Sequence, residues 1–162
     1  MNASPLFAVL TAAALLTGVP AMAADPVPAT DKLSVFFKWW NAAFEQPGAY
    51  TAENFGKHFT PDATLILEGR EVIRGLDGWA KHFQQIQAGG GDVEIVVPFK
   101  QMFQRGDRIY TYHVIRSRRD GKVGCSLAAG HAQLRRGKIA TIVLVRSQLD
   151  PSKNPDPQCW TQ

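Results

Sequence analysis

Two long runs of alternating side chains meet at Asp120-Gly121, and few folds accommodate that pattern. Arg108 to Arg119 precedes the dipeptide and Lys122 to Leu134 follows it. Asp-Gly between two period-two runs is a hairpin signal, because the favoured two-residue turn needs positive φ at both central positions. A loop of that length also sets the register. Arg119 then faces Lys122, Ile115 faces Ser126, His113 faces Ala128, and Thr111 faces Gly130. Alternation divides the side chains between two faces. One face holds Thr111, His113, Ile115 and Ser117 with Gly124, Ser126, Ala128, Gly130 and Ala132. The other holds Tyr110, Tyr112, Val114 and Arg116 with Cys125, Leu127, Ala129 and His131.

More strand flanks this hairpin. Arg135-Arg136-Gly137 turns the chain into a last strand, Lys138 to Gln148. Upstream, Val93 to Phe99 reads as a strand, and Pro98 near its end marks an edge or a bulge. Gln104 to Asp107 reads as a turn. The period differs before residue 90. Leu33, Phe36, Phe37, Trp40 and Phe44 recur at helical spacing, after Thr30 or Asp31 as a cap. Gln46-Pro47-Gly48 stops that helix, and Thr51 caps a short second one containing Phe55 and Phe59. Pro61 is expected to end it by restricting Thr60. Thr64 to Glu68 and Glu71 to Arg74 form a small hairpin across Gly69. Asp77 is expected to cap a third helix carrying Trp79, Phe83 and Ile86, which ends in Ala88-Gly89-Gly90-Gly91.

The fold class is therefore α+β, with early helices and a late, bent antiparallel sheet that buries one face against the first helix. The run Phe59-Thr60-Pro61-Asp62-Ala63-Thr64, a glycine turn, and Gly75-Leu76-Asp77-Gly78-Trp79 at a helix start give it a more specific cast. Together they resemble the nuclear transport factor 2-like superfamily, and its SnoaL-like and ketosteroid isomerase branches most of all. The resemblance runs from about Leu33 to Gln148. It implies a cone-shaped curved sheet wrapped around N-terminal helices, a cystatin-like α+β roll. It also implies a pocket in the mouth of the cone and homodimers formed through the outer sheet face.

The isomerase chemistry does not carry across. By the resemblance, the carboxylate base falls at Leu67, the protonated acid that holds the oxyanion at Gly130, and the oxyanion tyrosine near Trp40. Leucine moves no proton, glycine has no side chain, and an indole N–H only donates. The small side chains opposite an aromatic helix still leave volume, which either the aromatics fill or a ligand occupies. Trp40, Leu67, His113, Ser126, Ala128 and Gly130 are the candidate ligand-binding residues. His113 projects towards that volume and is the candidate acid or base, since imidazole titrates near neutral pH. The alternative is a core histidine bonded to a carbonyl or a water.

Compartment follows from the chain's start and its cysteines. Residues 1–22 carry no charged side chain, Leu6 to Leu16 is apolar, and Ala21-Met22-Ala23 has the small-x-small pattern of a cleavage site. Residues 1–23 are read as a secretory signal peptide, 24–30 as a Pro-rich leader, 31–149 as the domain and 150–162 as a Pro-rich tail. A membrane anchor is the alternative, but the apolar run falls short of the ~20 residues a span requires. Export places the mature chain in the periplasm or outside the cell. There Cys125 and Cys159 form one disulfide, against the alternative of two free thiols.

Several activities are set aside. His58, His82, His113 and His131 show no metal-ligand spacing, and no serine sits in a nucleophile elbow, so neither metal nor cofactor is expected. Arg116, Arg118, Arg119, Arg135, Arg136 and Lys138 gather near strand turns, yet nucleic acid is not a partner for an exported chain of net charge +4. The leading expectation is an exported binding module for a small apolar or aromatic molecule. The alternatives are a cofactor-free isomerase, cyclase or dehydratase of the SnoaL-like kind, and a dimeric protein-interaction module. Tyr110, Tyr112, Arg116 and His131 suit a dimer interface or a solvated sheet face.

Overall fold

The computed structural model describes residues 31–150, 152–153 and 156–161. The expected signal peptide (1–23) and leader (24–30) lie outside the described residues. The elements run α1 (Lys32–Phe44), α2 (Ala52–Gly56), β1 (Phe59–Leu67), β2 (Arg70–Arg74), α3 (Gly75–Ala88), β3 (Asp92–Ile95), β4 (Gln101–Arg105), β5 (Arg108–Arg119), β6 (Lys122–Arg135) and β7 (Lys138–Gln148). One curved seven-stranded sheet results, in the order β2-β1-β7-β6-β5-β3, with β4 also paired to β5. The helices pack on its inner face.

Asp31 starts α1: its Oδ1 accepts from the backbone N–H groups of Leu33 and Ser34, both at 2.9 Å. Such a cap contributes about 1 kcal/mol. Leu33, Phe36, Phe37, Trp40, Ala43 and Phe44 are buried, so the sequence stripe is the face turned to the sheet. Burying each large side chain contributes roughly 1.5–3 kcal/mol, which is what a helix of this length needs to persist. The core beneath is largely aromatic. Phe36 meets Phe59 edge-on at 4.7 Å, and Phe59 meets Trp79 at 4.4 Å. The Trp79 indole N–H donates to the Ala63 carbonyl at 3.2 Å, which ties α3 to β1.

The Asp120-Gly121 hairpin has positive φ at both residues, 49° and 73°. The register is the expected one, with Arg119 opposite Lys122, His113 opposite Ala128 and Thr111 opposite Gly130.

Four local expectations are corrected. The sheet is not wholly antiparallel: β1 runs parallel to β7, with Leu65 opposite Ile142 and Leu67 opposite Leu144. The second helix ends at Gly56, and Pro61 lies within β1, where the register with β7 shifts between Phe59 and Thr64. Proline is tolerated at such an irregularity because no ladder donor is required there. α3 begins at Gly75 with no side-chain cap; Asp77 sits in its first turn, where a carboxylate still favours the helix dipole. Finally, the expected strand Val93 to Phe99 divides. β3 stops at Ile95, and after Pro98 the chain pairs again as β4 along β5, from Gln101 opposite Tyr112 to Arg105 opposite Arg108.

The tail folds back over the outer face of the sheet. Cys125 on β6 is disulfide-bonded to Cys159, with Cα atoms 5.7 Å apart and a sequence separation of 34. Val114, Cys125 and Leu149 form a second small core there, with Val96, Leu127 and Cys159 packed against it. Trp160 has the guanidinium carbons of Arg116 and Arg118 each 5.0 Å from its ring centroid. Lys100 pairs with Asp156 at 2.8 Å. No helix among the described residues is long and apolar enough to cross a membrane.

Candidate functional site

An elongated cavity of about 370 Å³ opens between α1, α3 and the inner face of the sheet. Phe36, Phe37 and Trp40 of α1 form one side, and Trp79, Phe83 and Ile86 of α3 the roof. The sheet supplies Leu65, Leu67, Ile142 and Leu144 from β1 and β7, and Val93, Ile95 and Ile115 from β3 and β5. Polar groups gather where β5, β6 and β7 pair: Ser117, Ser126, Arg146 and Gln148, with His82 of α3 also on the wall. Alternation explains the change in character. Ile142, Leu144, Arg146 and Gln148 are successive inward positions of β7, and the last two reach the rim.

The rim is ordered by hydrogen bonds. The Ser126 hydroxyl donates to Gln148 Oε1 at 3.0 Å, and Gln148 Nε2 donates to the Cys125 carbonyl at 2.8 Å. Arg146 Nε donates to Glu68 Oε1 at 3.0 Å. Glu68 stands at the tip of the β1–β2 turn in a left-handed conformation, φ 53°. Burial shifts the His82 pKa downward, so this imidazole is neutral at pH 7. Deeper in, the Trp40 indole Nε1 is buried without a hydrogen-bond partner. An unpaired buried donor of this kind costs free energy.

Of the candidate residues, Trp40, Leu67 and Ser126 line this cavity, and His113, Ala128 and Gly130 do not. His113 points to the inner face as expected but lies beyond the open volume. It is fully buried, with its ring 5.8 Å from Phe37 and 5.3 Å from Phe99. Neither ring nitrogen has a partner, and burial pushes its pKa down to about 4. It is a neutral core histidine and does not line the cavity. Gly130 has a different reason for lacking a side chain. A Cβ there would stand 1.9 Å from the Val143 carbonyl oxygen of the neighbouring strand. The glycine permits a close approach of backbones instead of leaving room for a ligand.

Sequence reasoning missed His82 and Arg146. His82 follows Trp79 by three positions and Arg146 follows Leu144 by two, so helix and strand periodicity place each beside a residue facing inward.

The outer face differs on its two halves. The tail covers Val114, Cys125 and Leu127, while Phe103 and Val145 stay exposed at 42% and 56%. Phe103 stacks on Tyr110 at 4.7 Å, and Tyr110 lies 5.5 Å from His131. Among the described residues no cluster of His, Cys, Asp and Glu has the arrangement of a metal site.

A curved sheet roofed by helices, with an apolar cavity at one end and a polar rim, defines a class of small α+β cones. No family model matches the sequence, and no curated protein matches it. Solved structures do. An NTF2-like protein of unknown function from Exiguobacterium sp. 255-15 aligns with TM-score 0.59 at 21% identity, over 72% of this chain and 98% of its own. A SnoaL-like protein from Jannaschia sp. CCS1 gives 0.56 at 15%, over 76% and 90%. A protein of ketosteroid isomerase-like fold from Catenulispora acidiphila, in complex with trimethylamine, gives 0.51 at 17%, over 65% and 79%. The fold is the nuclear transport factor 2-like fold.

Proposed function

We propose that this chain binds a small apolar or aromatic molecule in the cavity between α1, α3 and the sheet. The observation that carries the reading is the cavity itself: about 370 Å³, walled by aromatic and aliphatic side chains. Pockets of this size with few polar groups suit small organic ligands. The isomerase- or cyclase-type alternative is weaker, because among the described residues His82 is the only imidazole on the wall and no Asp or Glu lines it. A thermal-shift screen of apolar and aromatic compounds tests the reading, since a native-state ligand raises the melting temperature. Hits that disappear in Leu67→Trp, which fills the cavity, support it. Hits that persist in that variant, or no hit in a broad library, overturn it.

A second reading concerns assembly. The exposed Phe103, Tyr110, His131 and Val145 half of the outer face supports a homodimer formed there. Tyr and Phe are enriched at such interfaces. Light scattering on the purified chain and on Phe103→Lys tests it; a monomeric mass for the unmodified chain overturns it. The Cys125–Cys159 bridge is compatible with the periplasmic or secreted location proposed for the mature chain. Fractionation of cells expressing the full sequence tests export.

A further inference from the structure

The proposed cavity has an apolar body, and the one charged side chain among its described lining residues is Arg146. Arg146 uses only Nε towards Glu68, and among the described residues its terminal nitrogens donate to no other protein group. The ion pair with Glu68 is half-exposed, at 42% and 51% of the two side chains, so it contributes little to stability. Its effect is to hold the guanidinium at the rim with the terminal nitrogens open. Arg119, the other arginine at this end of the inner face, is occupied: its Nε donates to the Gly90 carbonyl at 3.1 Å, behind α3.

The remaining rim groups fit the same ligand. Ser117 makes no hydrogen bond to another described group, so its hydroxyl is available as a donor. Gln148 is locked by Ser126 and by the Cys125 carbonyl, leaving neither end of its amide free to reorient. A cationic ligand meets no carboxylate among the described lining residues, and the nearest one at the rim, Glu68, is already paired with Arg146; a neutral hydrocarbon leaves the open guanidinium edge unused.

We propose that the ligand is an amphipathic organic acid, its apolar body against Phe37, Trp40, Phe83 and Leu144 and its carboxylate on the terminal nitrogens of Arg146. The inference rests on the binding role proposed above. Arginine offers a carboxylate two parallel donors, and charge-assisted bonds of this kind are stronger than neutral ones. Glu68 orients the guanidinium from the solvent side, so the acid head docks at the rim and the ring system or chain lies inside.

The test is calorimetric titration at pH 7 and low salt with three molecules of one shape: 2-naphthoic acid, 2-naphthamide and 2-(aminomethyl)naphthalene. The acid is expected to bind about tenfold tighter than the amide, in keeping with one charge-assisted contact, and the amine more weakly than either. Arg146→Met is expected to bring the acid-to-amide affinity ratio to about one, and Glu68→Gln to raise it by freeing the guanidinium. Equal binding of acid and amide by the unmodified protein, or a preference that survives Arg146→Met, overturns the assignment of charge while leaving the cavity as a binding site. Binding of none of the three overturns both.

Discussion

Ser126 on β6 and Gln148 on β7 stand opposite each other in register, and the hydroxyl of the first donates to the amide oxygen of the second at 3.0 Å. The bond crosses the rim of the cavity, and Gln148 passes the constraint on to the Cys125 carbonyl. Cavity rim and disulfide are therefore joined through one side chain. Both groups reach solvent, so a single such bond contributes only about 0.5–1.5 kcal/mol. A double-mutant cycle of Ser126→Ala and Gln148→Ala, followed by urea denaturation, is expected to show a coupling near the lower end of that range. A coupling indistinguishable from zero counts against an ordered rim.

Cys159→Ser removes the bridge that closes 34 residues. Loss of a cross-link of this kind costs about 2–4 kcal/mol. The variant is expected to match the unmodified protein in a dithiol reductant. It is also expected to bind a hydrophobic dye more strongly, because release of the tail uncovers Val114 and Leu127. Equal denaturation midpoints with and without reductant contradict this account.

His113 gives a pH dependence of defined sign. Its folded pKa is about 4, below the ordinary value of 6.5, because burial disfavours the imidazolium. The unfolded chain thus binds the proton more readily. The contribution to stability is complete above pH 6.5 and lost as pH falls towards 4, to the extent of about 3 kcal/mol. His113→Leu is expected to flatten that part of the stability–pH curve. At pH 7 it costs little, since a buried group with no partners is replaced by an apolar one of similar size. An unchanged slope between pH 6.5 and 4 contradicts the assignment.

Gly130→Ala is expected to destabilise the fold by several kcal/mol, because its Cβ would meet the Val143 carbonyl, a backbone atom of the sheet that cannot rotate aside. Gly124→Ala is the control. Its Cβ would meet the Ser117 hydroxyl at 2.7 Å, a side chain that can turn away, and the cost is expected to be well under half as large. Thermal melts of the two variants compare them directly.

The β5–β6 hairpin was legible to the residue, because a two-residue turn leaves one register and alternation does the rest. The buried face of α1 was legible for the same kind of reason, with the 3.6-residue period doing the sorting. What pairs with what across the chain was not. Neither Phe59 nor Pro61 signals a strand running alongside Ile139, since that pairing depends on residues some eighty positions away. β4 was hidden because Pro98 breaks the alternation just before it. For the site, facing inward was read correctly and depth was not. Alternation puts His113 and Ser117 on one face, but only the curvature of the sheet seals the first under Phe37 and Phe99 and opens the second to the cavity. Gly130 looks like a small residue leaving room for a ligand, though it accommodates the Val143 backbone of the neighbouring strand.

The parallel seam between β1 and β7 has a consequence for the order in which the molecule assembles. β1 has only β2 beside it until the last strand of the domain arrives, and the aromatic helices have no complete wall to cover before then. On a ribosome, that leaves Phe59 waiting through some eighty residues of synthesis, and Phe36 and Trp79 likewise, for the surface that shields them. A chain cut short before Ile139 keeps most of its hydrophobic side chains and loses the strand that joins its two halves, so nascent fragments are the species that chaperones are expected to hold.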